Sequence, residues 1–149
     1  MKRLYEALKD VYVNSLSPSL VDDNKYNIFV IVKPGFLKLT PTIIKEYENK
    51  GWKLERIRTK QLLMSEAKRL YEPHKKEDFF EDLCNYMISE PTTGLLFIKD
   101  KTMNQKELFK ETDKIKDKIR KEFGESEMRN VVHSSDSLDR LKIERGIYF

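Results

Sequence analysis

At 149 residues, with 39% hydrophobic and 36% charged side chains, the chain can bury one proper core and is neither disordered nor a membrane-protein composition. No apolar run reaches membrane-span length, and the opening Met1-Lys2-Arg3-Leu4-Tyr5-Glu6 lacks a signal-peptide core. A net charge of +4 with interspersed signs suits small polyanions; no basic stripe with interleaved aromatics points to nucleic acid.

In chain order, residues 2–13 put Leu4, Leu8, Val11 and Tyr12 on one helical stripe, and residues 14–24, rich in Ser, Asp and Pro, read as a linker. This predicts an N-terminal extension over residues 1–25 and a domain over 26–149. Residues 26–32 are a β-branched run, a buried strand that Lys33-Pro34-Gly35 ends. Thr40 is expected to cap a helix with Pro41 in its first turn, an apolar face of Ile43, Ile44 and Tyr47, and a stop at Gly51. Residues 53–60 alternate as a strand. Ser65 starts a short helix reaching Tyr71, and Asp78 caps another with Phe79, Phe80, Leu83, Cys84 and Met87 on one side. That pattern makes Cys84, the single cysteine, a packing residue, and the expected compartment is a reducing cytosol. Residues 92–98 form the third strand, 104–112 and 114–123 two helices, and 130–133 a short fourth strand. Asp136 caps a last helix carrying Leu138, Leu141 and Ile143 and ended by Gly146. Without the extra helices the order is βαββαβ. This is an α/β (α+β) chain of ferredoxin-like form, a four-stranded antiparallel sheet with helices packed on one face.

The chemistry concentrates in Asn130-Val131-Val132-His133-Ser134-Ser135-Asp136-Ser137. One imidazole ends a buried strand just before a helix start. Neutral imidazole is a competent nucleophile near pH 7, and a helix N-terminus offers donors to phosphate oxygens. A lone histidine at a strand end is more often structural or merely exposed than catalytic. Tyr71 and Phe79 on their helices read as core, Lys33, Arg120 and Glu144 as solvated charges, and His74, among Lys75, Lys76 and Glu77, as exposed.

Taken together these segments resemble the nucleoside diphosphate kinase family. The octet is similar to its N-x-x-H-G-S-D-S signature, with Ser134 for the glycine. Ile31-Val32-Lys33-Pro34, Glu48-Asn49-Lys50-Gly51-Trp52, Leu70-Tyr71 before Phe79-Phe80 and Leu83, Tyr86-Met87-Ile88-Ser89-Glu90-Pro91 and Ile119-Arg120 resemble further family segments in order and spacing. The resemblance implies ping-pong phosphoryl transfer between nucleoside tri- and diphosphates. It makes His133 the phosphorylated nucleophile and Glu144 the carboxylate on the other ring nitrogen. Lys33 and Arg120 become cations on the transferring phosphate, Tyr71 a phenol nearby and Ser135 a hydroxyl near the site. For the nucleotide it implies Phe79 stacked on the base with Leu83 packing beside it, Asn130 with Lys33 at the sugar 3′-hydroxyl, and Thr112 and Lys106 at the distal phosphates. Mg²⁺ would be held by phosphates and water, with no protein metal site. The partner implied beyond nucleotides is a second copy of the chain, in a dimer-based hexamer or tetramer.

The chain also departs from the family pattern. Gly35-Phe36 replaces the usual Asp-Gly, and Lys106 stands where an arginine is common, losing its bidentate fork. The segment between Thr112 and Arg120 is shortened and lacks a Pro-Gly. Ser134 would be strained if its position needed a positive φ. These departures motivate an alternative, a catalytically weak nucleotide-binding or assembly module of the same fold.

Overall fold

The computed structural model describes residues 25–100 and 105–149. Among the described residues the architecture centres on a sheet of four strands, β1 (Lys25–Val32), β2 (Lys53–Lys60), β3 (Thr92–Asp100) and β4 (Val132–Ser134), in the order β2-β3-β1-β4 with every pair antiparallel.

 The order is that expected for βαββαβ. Among the described residues five α-helices accompany it: α1 (Thr40–Glu48), α2 (Met64–Leu70), α3 (Phe80–Ile88), α4 (Gln105–Phe123) and α5 (Leu138–Tyr148). The extension that the sequence suggests over residues 1–25 lies, up to residue 24, outside the described residues. No described helix is long and apolar enough to cross a membrane.

Helices cover both faces of the sheet, not one. β1 is central, and Ile28 to Val32 are all buried. Ile28, Val30 and Val32 point into a core with Ile43 and Tyr47 of α1 and Leu108, Ile115 and Ile119 of α4. Phe29 and Ile31 point the other way, into a core with Leu70 of α2, Met87 of α3 and Leu141 and Tyr148 of α5. An unbroken apolar run, as opposed to strict alternation, is what a strand buried on both sides requires.

Other differences are local. Residues 104–112 and 114–123 do not form two helices; α4 runs unbroken to Phe123, because no Gly or Pro interrupts it. A 3₁₀ turn at Leu37–Leu39 leads into α1, and the Thr40 hydroxyl donates to the Leu37 carbonyl (2.7 Å), so Thr40 is not the cap. Phe79, not Asp78, occupies the N-cap position of α3, and Ser137, not Asp136, caps α5 by accepting from the Arg140 N–H. Gly146 does not end α5, which continues to Tyr148. Leu138 and Ile143 are exposed, and the buried stripe is Leu141, Glu144, Ile147 and Tyr148.

The far end of α5 is held firmly. Lys60 Nζ donates to the Ile147 carbonyl (3.0 Å) and Arg58 Nη1 to the Tyr148 carbonyl (2.9 Å). Cations on those last carbonyls suit the helix dipole. Gly94 leaves room for the Tyr148 ring, since a Cβ there would lie 2.8 Å from it. These contacts fix the helix that carries Glu144.

Candidate active site

β1 delivers Lys33 just beyond its last residue. The Lys33 N–H donates to the Val131 carbonyl (2.8 Å), and its Nζ donates to Asn130 Oδ1 (2.7 Å) and the Met128 carbonyl (3.3 Å). The side chain is buried, and no carboxylate within ion-pair range accompanies it among the described residues. Burial, then the neighbouring Arg120 charge, pulls its pKa down to about 7. Arg120, near the end of α4, donates through Nε (3.2 Å) and Nη2 (2.8 Å) to the Val132 carbonyl, and burial lowers its pKa too.

Between Asn130 and β4 the chain kinks. Val131 has φ +77°, a left-handed conformation that a β-branched residue adopts only under strain. The sequence places a possible strain one step beyond the histidine, at Ser134. Ser134 lies in β4, and the strain falls before the histidine instead. The strand itself occupies Val132–Ser134, starting two residues and ending one residue later than expected.

His133 pairs across the sheet with Ile31. Its Nε2 is hydrogen-bonded to Oε1 of the buried Glu144. A carboxylate only accepts, so Nε2 carries the proton and Nδ1 keeps its lone pair. Ser135 Oγ donates to the same oxygen (3.1 Å), and Arg140 Nε donates to Oε2 (3.1 Å). Tyr71 sets its ring edge-on to the imidazole, centroids 5.4 Å apart, with its buried hydroxyl unpartnered. Burial first, with Tyr148 and Glu144 adding to it, raises that phenol beyond the usual tyrosine range. The helix start therefore serves His133 less through free N–H donors than through Glu144, nearly two turns into α5.

The model of the family described as "Nucleoside diphosphate kinase" matches residues 27–149. The chain belongs to the nucleoside diphosphate kinase family. It is 35% identical over 127 residues to the nucleoside diphosphate kinase of Ignicoccus hospitalis and 31% identical over the same length to that of Fervidobacterium nodosum. Both alignments cover 81% of this chain and 86% of the relative. Two solved structures share the fold. The nucleoside diphosphate kinase of Aquifex aeolicus has a TM-score of 0.69 at 21% identity, covering 84% of this chain and 95% of its own. A nucleoside diphosphate kinase family protein from Babesia bovis has 0.70 at 24%, covering 83% and 87%.

Within this nucleoside diphosphate kinase fold, Lys33, Asn130, Arg120, His133, Ser135, Glu144 and Tyr71 form one connected cluster. Phe79 does not sit in the core as its helical spacing suggests. It is 44% exposed, 5.8 Å by ring centroid from His74, whose ring is 6.5 Å from that of Tyr71. Leu83, one turn further along α3, is buried. Thr112 is buried on α4, eight residues before Arg120, and the Lys106 side chain lies outside the described residues. Sequence reasoning missed Arg140. The available signal was its position four residues before Glu144, the spacing of neighbours on one helix face. The described residues contain no group of three His, Cys, Asp or Glu able to hold a metal ion, and Glu144 has both oxygens engaged.

Proposed function

We propose that the chain moves the γ-phosphate of a nucleoside triphosphate to a nucleoside diphosphate in two half-reactions, through a phosphohistidine at His133. The Nδ1 lone pair attacks the γ-phosphorus. An N–P bond forms as the P–O bond to the β-phosphate breaks, and the electron pair leaves with the diphosphate. Glu144 faces the ring at Nε2–H and balances the positive charge that the phosphorylated imidazole gains. In the second half-reaction a terminal oxygen of the acceptor diphosphate takes the phosphoryl group, and the N–P pair returns to Nδ1. Phosphoryl transfer needs positioned charge more than covalent help. Lys33 and Arg120 supply it, and the anion they meet restores the Lys33 proton that burial weakens.

The nucleotide contacts follow the same reading. Asn130 and Lys33, already joined, take the sugar 3′-hydroxyl. Phe79 offers an exposed ring to the base, with Leu83 packed nearby. Thr112 and Lys106 meet the distal phosphates, and Tyr71 and Ser135 line the histidine. Mg²⁺ rides on the phosphates and water, which fits a site whose one buried carboxylate is already committed to His133 and Arg140. The protein works as a homo-oligomer; β2, an edge strand with Ile57 exposed, supports this reading. The free buried thiol of Cys84 fits a reducing cytosol.

One observation carries the proposal: an imidazole oriented by a buried carboxylate shares a cluster with two cations that no carboxylate among the described residues approaches within ion-pair range. The alternative of a weak binding module has no such support, since the residues that chemistry requires stand together. Incubation with Mg-ATP is expected to add one phosphoryl group to the intact mass, discharged by a nucleoside diphosphate. His133→Ala is expected to abolish the gain while staying folded. Acid-labile, base-stable label retained by that variant would overturn the assignment, and nucleotide binding by the wild type without phosphohistidine would favour the binding module.

A further inference from the structure

Glu144 has two oxygens, and His133 uses only one. Oε2 is taken by Arg140 Nε at 3.1 Å, within one turn of α5. Arg140 then reaches away from its own helix. Its Nη2 donates to the carbonyls of Arg69 (3.0 Å) and Leu70 (2.9 Å), the end of α2. The next residue is Tyr71, whose ring lies against His133. One guanidinium thus ties the carboxylate behind the imidazole to the segment that forms the imidazole's side wall. A planar fork with several donors can make these three bonds at once; a point-charge cation cannot.

We infer that Arg140 is a positioning residue for His133: it locks the Glu144 carboxylate so that Oε1 stays on Nε2, and it holds Tyr71 at the ring edge. The physical need is specific. A buried carboxylate with one free oxygen can rotate about its last bond, and each rotation breaks the contact that selects the ring tautomer. A second, charge-assisted bond on Oε2 removes that freedom. Arg140 itself touches no reacting atom in this arrangement.

The inference rests on the phosphohistidine reading, and its test separates the two. The first measurement is phosphoenzyme formation by the wild-type protein with Mg-ATP. Failure there removes the parent reading and with it the role of Arg140; success leaves Arg140 to be judged by its own variants. Arg140→Met keeps the apolar stem and loses the donors. It is expected to reach full phosphorylation stoichiometry, with both half-reactions slowed about tenfold, the scale of one charge-assisted hydrogen bond. Nucleotide KM is expected to stay within about twofold, because no nucleotide contact changes. The ¹⁵N spectrum of His133 is the decisive readout. The wild type shows a protonated Nε2 and an unprotonated Nδ1 in the neutral ring, and Arg140→Met shows both nitrogens averaged between tautomers. Arg140→Lys, with a cation still one turn from Glu144, recovers part of the rate and sharpens the spectrum. Wild-type rates in Arg140→Met would overturn the inference. So would a loss of rate with unchanged His133 signals that lysine does not relieve, since that would make Arg140 a fold contact only.

Discussion

The proposed nucleophile, His133, and the two cations proposed to meet phosphate, Lys33 and Arg120, sit in one cluster but are built on opposite electrostatic plans. Around His133 every charge has a partner: Glu144 is shared by the imidazole, the Ser135 hydroxyl and Arg140. Around Lys33 and Arg120 the partners are neutral: an amide oxygen and backbone carbonyls. Burial, and after it the repulsion from the Arg120 charge, brings Lys33 down to about 7. The first region is complete without substrate. The second holds positive potential that only an incoming anion satisfies, so folding stability is given up there for the sake of binding. The difference explains why the two regions should respond to neutral substitutions with opposite signs.

The sharpest way to break this comparison is Lys33→Met. Turnover is expected to fall by about 10³-fold, the scale for losing one preorganised charge at a transferring group. Stability is expected to move the other way, rising by about 2 kcal/mol at pH 6. The sign follows from linkage. Below pH 7 both the folded and unfolded chains hold the Lys33 proton, and the folded chain bears the whole cost of burying it. Between pH 7 and 10 the folded chain releases a proton that the unfolded chain still holds, so wild-type stability rises with pH. The advantage of the variant is therefore largest below pH 7 and shrinks toward pH 10. Asn130 and Met128 are only half-buried, so water can replace the lost donor. Denaturant unfolding at pH 6 and pH 9 measures both signs; a Lys33→Met protein less stable than wild type at pH 6 would refute the unmet-charge account.

Glu144→Gln probes the paired region. The amide can still accept from Nε2, but it offers N–H donors or a neutral oxygen where Arg140 needs a carboxylate. Removing one member of a buried ion pair leaves the other uncompensated, at a cost of about 3 kcal/mol. Turnover is expected to fall about 10²-fold, less than for Lys33→Met, because the nucleophile survives with weaker orientation. Together with Lys33→Met this gives loss of activity in both variants but opposite changes in stability. Equal destabilisation in both would mean that the two regions are not electrostatically distinct.

Much of this was legible in the sequence, for reasons that particular residues make plain. The alternation of residues 53–60 and the apolar run of β1 marked their strands, and the fold class follows from the order of such segments. The core side of α3 was legible in Leu83, Cys84 and Met87 but misread for Phe79, because helical spacing ends where the chain turns out of the helix. Caps were the weakest readings: Thr40, Asp78 and Asp136 are all good capping residues, and each lost the position to a neighbour through turn geometry that composition does not encode. The candidate site residues could be named from their family resemblance, but not their bonds. That Lys33 would be buried against Asn130, or that Arg140 would join α5 to α2, depends on contacts 97 and 71 residues apart in the chain. The positive φ at Val131, just before a three-residue strand, is likewise announced by no local pattern.

The smallest effect sharpens the comparison from outside both regions. Phe79 exposes its ring beside His74 and makes no contact with Lys33, Arg120 or Glu144 among the bonds and ring pairs of the site. Under the proposed function it meets the base and not the transferring phosphate. Phe79→Ala should therefore remove binding that is the same in the ground and transition states, raising KM about tenfold while leaving kcat within about twofold. Since the ring is already largely in water, stability should stay within about 0.5 kcal/mol of wild type. Stacking is indifferent to base identity, so the rise in KM should be similar for purine and pyrimidine nucleotides. Steady-state kinetics with two triphosphate donors checks this. A fall in kcat as large as that of Glu144→Gln would place Phe79 inside the phosphoryl-transfer machinery, and the division between base-holding and charge-handling residues would have to be redrawn.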